Sequence, residues 1–235
     1  EDFFPEGYPG NFTSIEQVRE KPNILVKEIF RLINNGDEIN GYSDEYDFED
    51  FKSEVINPIK TLEEHGFRKF IPEVQPVWAK NEQGTERGFL ITQKVEGAHI
   101  NDFVSIELNI AKELDELLSV SFNVISVTLS SSHRIISPDI FTQTLDGPAL
   151  RNIMIGRIKN DKEDHVYLID LYPATASTDY LQEVNVEKLK KNWEVVFKDL
   201  SAKSNEGYSF PLASAALESY LSTLKNWQRV TTSQN

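Results

Sequence analysis

The 235-residue sequence predicts an α+β protein in two lobes, a small β-rich lobe at residues 1–95 and a mainly helical lobe at residues 96–235. Three observations predict it. Short strand-like runs divided by turn signals fill the first third of the chain. Apolar residues at helical spacing dominate beyond residue 106. One hairpin-like stretch, "RNIMIGRIKNDKEDHVYLIDLYPA" at 151–174, is embedded in the helical half.

Taken in order, "NFTSIEQV" and "NILVKEIF" read as two strands separated by "REKP", where Pro22 marks a turn. "GDEINGYSDEYDFED" at 36–50 concentrates acidic residues and reads as a solvated loop leading into a helix. That helix is expected across "FEDFKSEVINPIKTLEEHGF", where Phe48, Phe51, Val55, Ile59 and Leu62 recur every three or four residues. Pro58 should kink or interrupt it. "FIPEVQPVWAK", the turn "NEQG" and "RGFLITQKV" form a strand–turn–strand unit that ends in a short connector at 93–97.

From Gly97 the chain should be mainly helical. Ile106, Ile110, Leu114, Leu118, Phe122, Ile125 and Leu129 lie on one stripe of a single long helix. "SPDIFTQTLDGPAL" reads as a loop, and the runs Ile153 to Ile158 and Val166 to Leu171 flank "KNDKED" as a hairpin. Two amphipathic helices close the chain. One carries Leu189, Trp193, Phe197 and Leu200, the other Leu217, Leu221, Leu224 and Trp227; both stripes are read as core.

Composition narrows the function. With 38 acidic against 24 basic residues the formal charge is −14, which disfavours a broad nucleic-acid surface. Acidity permits cationic substrates without identifying one. No apolar run has the length of a membrane span, and "EDFFPEGYPG" is not a signal sequence. The absence of Cys removes disulfides and thiolate zinc sites and fits a reducing compartment. The expected location is the cytoplasm, or that of a delivered effector. His65, His99, His133 and His165 have no metal-ligand spacing and read as structural or solvated.

The hairpin carries the chemistry. Asn152 precedes one strand and Asp170 ends its antiparallel neighbour, so both side chains should emerge at the same end. An amide oxygen beside a carboxylate is a hard-oxygen pair, suited to Mg²⁺ held together with phosphates. A surface hairpin capped by two polar residues accounts for the same pattern.

The order of these pieces resembles the protein-kinase-like phosphotransferase fold, above all its smaller aminoglycoside and choline kinase type and compact bacterial effector kinases. The resemblance covers most of the chain up to about residue 175. It implies a two-lobed fold that binds ATP and Mg²⁺ between its lobes and moves the γ-phosphate to a hydroxyl of a protein or small molecule. "ILVKEI" would supply the phosphate-gripping Lys27. "FKSEV" would supply its helix partner Glu54, with Glu49 or Asp50 serving in another register. The connector "ITQKVEG" would present the backbone of Gln93 and Val95 to adenine. "RNIMIG" would give the metal-binding Asn152 and "LIDLYPA" the metal-binding Asp170. Phosphoryl transfer asks for this set because it depends on positioning and charge neutralisation.

Departures are equally legible. A catalytic Asp is expected five residues before the Asn, but Asp146 in "LDGPALRN" lies six before Asn152, with no His-Arg ahead of it. Gly147 and Pro148 would absorb the extra residue in a turn; otherwise Asp139 in "SPDI" is the distant substitute. Gly7 and Gly10 lack phosphate-loop spacing, and "LYP" follows Asp170 where Phe-Gly is the pattern. These departures keep open an alternative, a pseudokinase that binds nucleotide or a partner without turnover. A third class, an acidic inhibitor or partner-binding domain, shares the composition but not the motif order.

Overall fold

In a computed structural model, the residues described are 15–17, 21, 23–29, 32–35, 38–42, 47–80, 84–131, 134–138, 140, 148–169 and 174–232. The fold is α+β, as the sequence predicts. Strands β1 (Ile15–Gln17) and β2 (Ile24–Ile29) fall inside the first two predicted runs. The acidic stretch that follows is not simply a loop. Strands β3 (Leu32–Asn35) and β4 (Glu38–Tyr42) pair antiparallel across its start, with a register shift between Leu32 and Asn34. The overlooked signal is the dipeptide Gly36-Asp37 in the sequence between the paired Asn35 and Glu38, a composition suited to a two-residue hairpin connection.

The first helical segment opens with α1 (Phe48–Phe51), capped reciprocally by Asp47 and Asp50. The Asp47 Oδ1 accepts from the Asp50 amide at 2.9 Å. It runs through a π-helical turn, Lys52–Ile56, into α2 (Asn57–Glu64). Pro58 interrupts the α-helical ladder as expected, but by widening it rather than breaking it. Proline has no amide to offer the carbonyl four residues back, and its ring would crowd that carbonyl. The Asn57 amide reaches the Lys52 carbonyl instead, and the wider turn leaves room for the ring.

Strands β5 (Val74–Lys80) and β6 (Glu86–Gln93) complete a four-stranded antiparallel sheet in the order β1-β2-β6-β5. Directly opposed residues share a face. One face therefore carries the rows Ile29–Gly88–Trp78 and Lys27–Leu90–Pro76. The helix packs on this face, where Phe51, Val55 and Ile59 join Ile29 and Leu90 in a small buried cluster. Gly88 makes room for the Phe51 ring: a Cβ there would lie 2.9 Å from Phe51 Cγ. Trp78 closes the cluster, its ring centroid 5.6 Å from that of Phe51.

Beyond the connector the first element is a strand, not a helix. Strand β7 (Glu96–His99) leads through a 3₁₀ turn, Ile100–Asp102, towards α3 (Leu108–Ser131). Ile106 lies ahead of α3, in a parallel bridge to Ser204, with its amide 2.8 Å from the Lys203 carbonyl. The strand β8 (Arg134–Ser137) follows α3. A 3₁₀ turn, Leu150–Asn152, then leads into the predicted hairpin, β9 (Ile153–Arg157) and β10 (His165–Leu168). The second strand ends at Leu168, three residues before the end of the apolar run. Strand β11 (Ala174–Ser177) pairs with β8, and β7 joins the hairpin in a sheet ordered β10-β9-β7. Both β7 and β8 escaped the sequence pattern because four-residue strands are too short for alternation to register.

Helices α4 (Thr178–Glu183), α5 (Val186–Lys203) and α6 (Pro211–Thr232) finish the chain. The expected stripes of α3, α5 and α6 meet in a large core that also takes in Phe67, Phe70, Ile153, Ile155, Val166 and Leu168. Phe122 and Trp193 meet edge to face at its centre, with centroids 4.9 Å apart. Asp115 of α3 is fully buried in this core. Its Oδ1 accepts from the Ala213 amide at 2.7 Å, and its Oδ2 accepts from Leu212 at 3.2 Å and from the Tyr208 hydroxyl at 2.9 Å. The residue before α6 is Phe210, which has no side-chain oxygen, so α3 supplies the cap that the local sequence lacks.

A second tie joins α3 to the hairpin. Glu113 accepts from the Val166 amide at 3.0 Å and from His165 Nδ1 at 2.9 Å. The bond to Glu113 raises the His165 pKa above the ordinary 6.5, against the opposing effect of burial; Asp161 and Glu163 raise it further. A raised folded pKa contributes stability that is complete below the unfolded value and lost as pH rises through the folded one. His165→Gln should therefore unfold more readily than wild type in urea at pH 5.5 and match it at pH 8.5. The pair is partly exposed, so the difference should be at most about 1 kcal/mol. A pH-independent difference would remove the ion pair as its cause.

Candidate functional site

Lys27 lies near the middle of β2, opposite Leu90 on one side and Ile15 on the other. Its row faces the helix, because Leu90 packs with Phe51 and Val55 on that face. Glu54 lies in the π turn between the fully buried Phe51 and Val55 and is itself half-buried. The sheet thus presents Lys27 towards the segment that carries Glu54. Both residues are engaged in interactions within the fold. Glu28, the next residue along β2, belongs to the opposite face, where its Oε1 lies 4.0 Å from Arg87 Nε. Lys27→Met should change the unfolding free energy measured in urea by no more than about 1 kcal/mol, the most that a partly exposed ion pair contributes. If Lys27 grips phosphate, the substitution should instead lower ATP affinity, measured by calorimetry with Mg²⁺ present. Unchanged affinity would remove Lys27 from the phosphate site.

Gln93 ends β6, where its amide donates to the Glu73 carbonyl at 3.1 Å and its Nε2 to Glu73 Oε2 at 2.7 Å. Its Oε1 is buried and accepts no hydrogen bond from the described residues. The next amide, Lys94, donates to the Asn23 carbonyl at 2.8 Å, which ties the connector back to the start of β2. Val95 is buried. The connector then enters β7 directly, with Gly97 opposite Gly156 and His99 opposite Met154.

Asn152 ends the 3₁₀ turn at the mouth of the hairpin. The register sets Leu168 opposite Ile153, and one residue further the Ile169 amide donates to the Asn152 carbonyl at 2.9 Å. The Leu168 amide donates to the Phe70 carbonyl at 2.7 Å, anchoring the same end of the hairpin to the segment after α2. Asp170, the next residue in the chain, lies outside the described residues, as do Asp146 and Asp139. The donor set of an amide oxygen and a carboxylate fits Mg²⁺ held with phosphates. Among the described residues no group of three or more His, Asp or Glu could hold a metal ion. No described helix is long and apolar enough to cross a membrane.

The hairpin sheet has two unlike faces. Ile153, Ile155, Val166 and Leu168 point into the helical core, while Met154, Tyr167 and His99 occupy the other face. His99, read from the sequence as structural or solvated, donates its Nδ1–H to the Arg151 carbonyl at 2.6 Å. A lone His on a short strand carries no spacing signal that would have singled it out. A cleft of about 600 Å³ lies at the turn end of the hairpin, between Phe103, Glu107 and Glu163, and is lined by none of the predicted site residues.

No family model matches the chain, and no curated protein matches it. Among solved structures it is similar to the crystal structure of WbdD, with 19% identity and a TM-score of 0.34 over 92% of this chain and 46% of that one. The chain therefore spans less than half the length of WbdD.

Proposed function

We propose that the chain is a kinase-like phosphotransferase that binds ATP with Mg²⁺ and moves the γ-phosphate to a hydroxyl of a protein or small molecule. One observation carries this reading. The hairpin register closes Asn152 against Ile169, so the amide ligand stands at the strand end from which the chain proceeds to Asp170. Two further features support it. Lys27 faces the segment bearing Glu54, as a phosphate-gripping lysine and its carboxylate partner require. The connector at Gln93 and Val95 runs straight from the Lys27 sheet into the sheet of Asn152. Lys27 and the metal pair would divide the work of neutralising a triphosphate. Asn152 and Asp170 would hold Mg²⁺, which neutralises phosphate charge when bound.

Thermal melting in the presence of ATP tests the reading. Binding to the native state alone adds RT ln(1 + [L]/Kd), about 2.7 kcal/mol at a hundredfold excess over Kd. ATP with Mg²⁺ should raise the melting temperature well above ATP alone, and Asp170→Asn should remove most of that excess. An equal shift with and without Mg²⁺ would remove the metal assignment. Labelled ATP with candidate acceptors, the protein itself included, then separates enzyme from pseudokinase. With Asp146 as base, Asp146→Ala should keep Mg-ATP binding and lower transfer by roughly 10²-fold or more. Binding without transfer to any acceptor favours the pseudokinase, the reading supported by the displaced Asp146 and the weak phosphate loop.

A further inference from the structure

His99 is placed to do more than fill a surface position. It ends the strand that leaves the connector, and its Nδ1–H reaches from β7 to the carbonyl of Arg151, in the turn that leads into the neighbouring β9. Arg151 and Asn152 share one 3₁₀ turn. The carbonyl of Asn152 is itself held by the Ile169 amide. The Asn152 turn is thus gripped from β7 on one side and from the exit of β10 on the other. Of these two grips only His99 is made by a side chain, and only it leads back to the connector. A carbonyl can only accept, so the proton resides on Nδ1 and the ring orientation is fixed by the bond.

We propose that His99 is a positioning residue that holds the Asn152 turn in register with the connector, linking the segment that would meet the adenine base to the one that would meet the metal. The proposal rests on the phosphotransferase reading for its functional half. Its structural half stands on the His99–Arg151 bond alone. Removing an outer partner of this kind loosens a ligand without deleting it, and metal affinity falls by about 10-fold or more. Binding of ATP without metal should be untouched.

The experiment compares wild type, His99→Ala and His99→Asn in the full chain. The Asn amide offers a donor near the place of Nδ1–H. Amide hydrogen exchange at Ile169 should be roughly tenfold faster in His99→Ala, with α3 amides unchanged, and should return towards wild type in His99→Asn. The Mg²⁺ concentration for half-maximal stabilisation by ATP should rise about 10-fold in His99→Ala, and His99→Asn should recover most of it. Unchanged exchange at Ile169, or no recovery in His99→Asn, overturns the proposal. If wild type gains nothing from Mg²⁺ with ATP, the phosphotransferase reading and the functional half fall together. The exchange result then still decides whether His99 holds the turn.

Discussion

Gly156→Ala should destabilise the protein by on the order of 3 kcal/mol, the upper range for forcing atoms into packed space. Gly156 of β9 lies directly opposite Gly97 of β7. A Cβ on Gly156 would come 2.7 Å from Gly97 Cα and 2.8 Å from the Glu96 carbonyl carbon; one on Gly97 would come 2.6 Å from Gly156 Cα. The obstacles are backbone atoms, which cannot rotate aside as a side chain can. Relief requires the two strands to part, which gives up pairing across the sheet that joins the connector to the hairpin. For a chain of this length the loss corresponds to roughly 10 °C in melting temperature. Gly97→Ala should behave alike, and the double variant should cost less than the sum, since both substitutions break one contact. A melting temperature within about 1 °C of wild type in either single variant would disprove the close approach.

Asp115→Ala should cost about 3–5 kcal/mol, the scale for removing one partner of a buried charged network. The substitution removes a fully buried carboxylate and leaves the Leu212 and Ala213 amides and the Tyr208 hydroxyl without their acceptor, the Ala213 amide in a buried position. It also removes a negative charge from the start of α6, where the helix dipole favours one. Asp115→Asn keeps the shape and one acceptor oxygen, so it should lose roughly half as much. Urea denaturation with both variants checks the order. Equal losses would mean that volume, not hydrogen bonding, governs the site. An unfolded Asp115→Ala with a folded Asp115→Asn agrees with the expectation.

These two positions mark where the sequence stops being informative. Asp115 looks like one more polar residue on an amphipathic helix, because the amides it caps lie almost a hundred residues downstream. Gly97 and Gly156 look like ordinary punctuation, because their meaning depends on a register between strands that are distant in the chain. The long stripes of α3, α5 and α6 were legible, since burial of a helix face imposes its own period. The hairpin itself was legible too, because it is local, but its register was not: the two runs as read would set Ile153 opposite Leu171, whereas it pairs with Leu168. The pairing of β8 with β11 was not legible either, because their partners are about forty residues apart and each strand is too short to announce itself. Pro58 was half legible. It predicted a disturbed helix but could not say that a wider turn would absorb it.

The two hydrophobic clusters differ greatly in size, and this inequality sets an order of events on heating. Among the described residues, the sheet that bears Lys27 rests on five buried side chains, whereas the helices and the hairpin share a far larger core. Opening the small cluster exposes little apolar surface, so it needs little free energy and should occur many times for each global unfolding. A protease added to native protein should therefore cut first within the β2–β6 region and leave a resistant fragment that begins beyond Gln93. A ligand gripped by Lys27 would suppress that early cutting long before it altered the final melt. Limited digestion is thus a more sensitive detector of occupancy at this end of the molecule than any measurement of total stability.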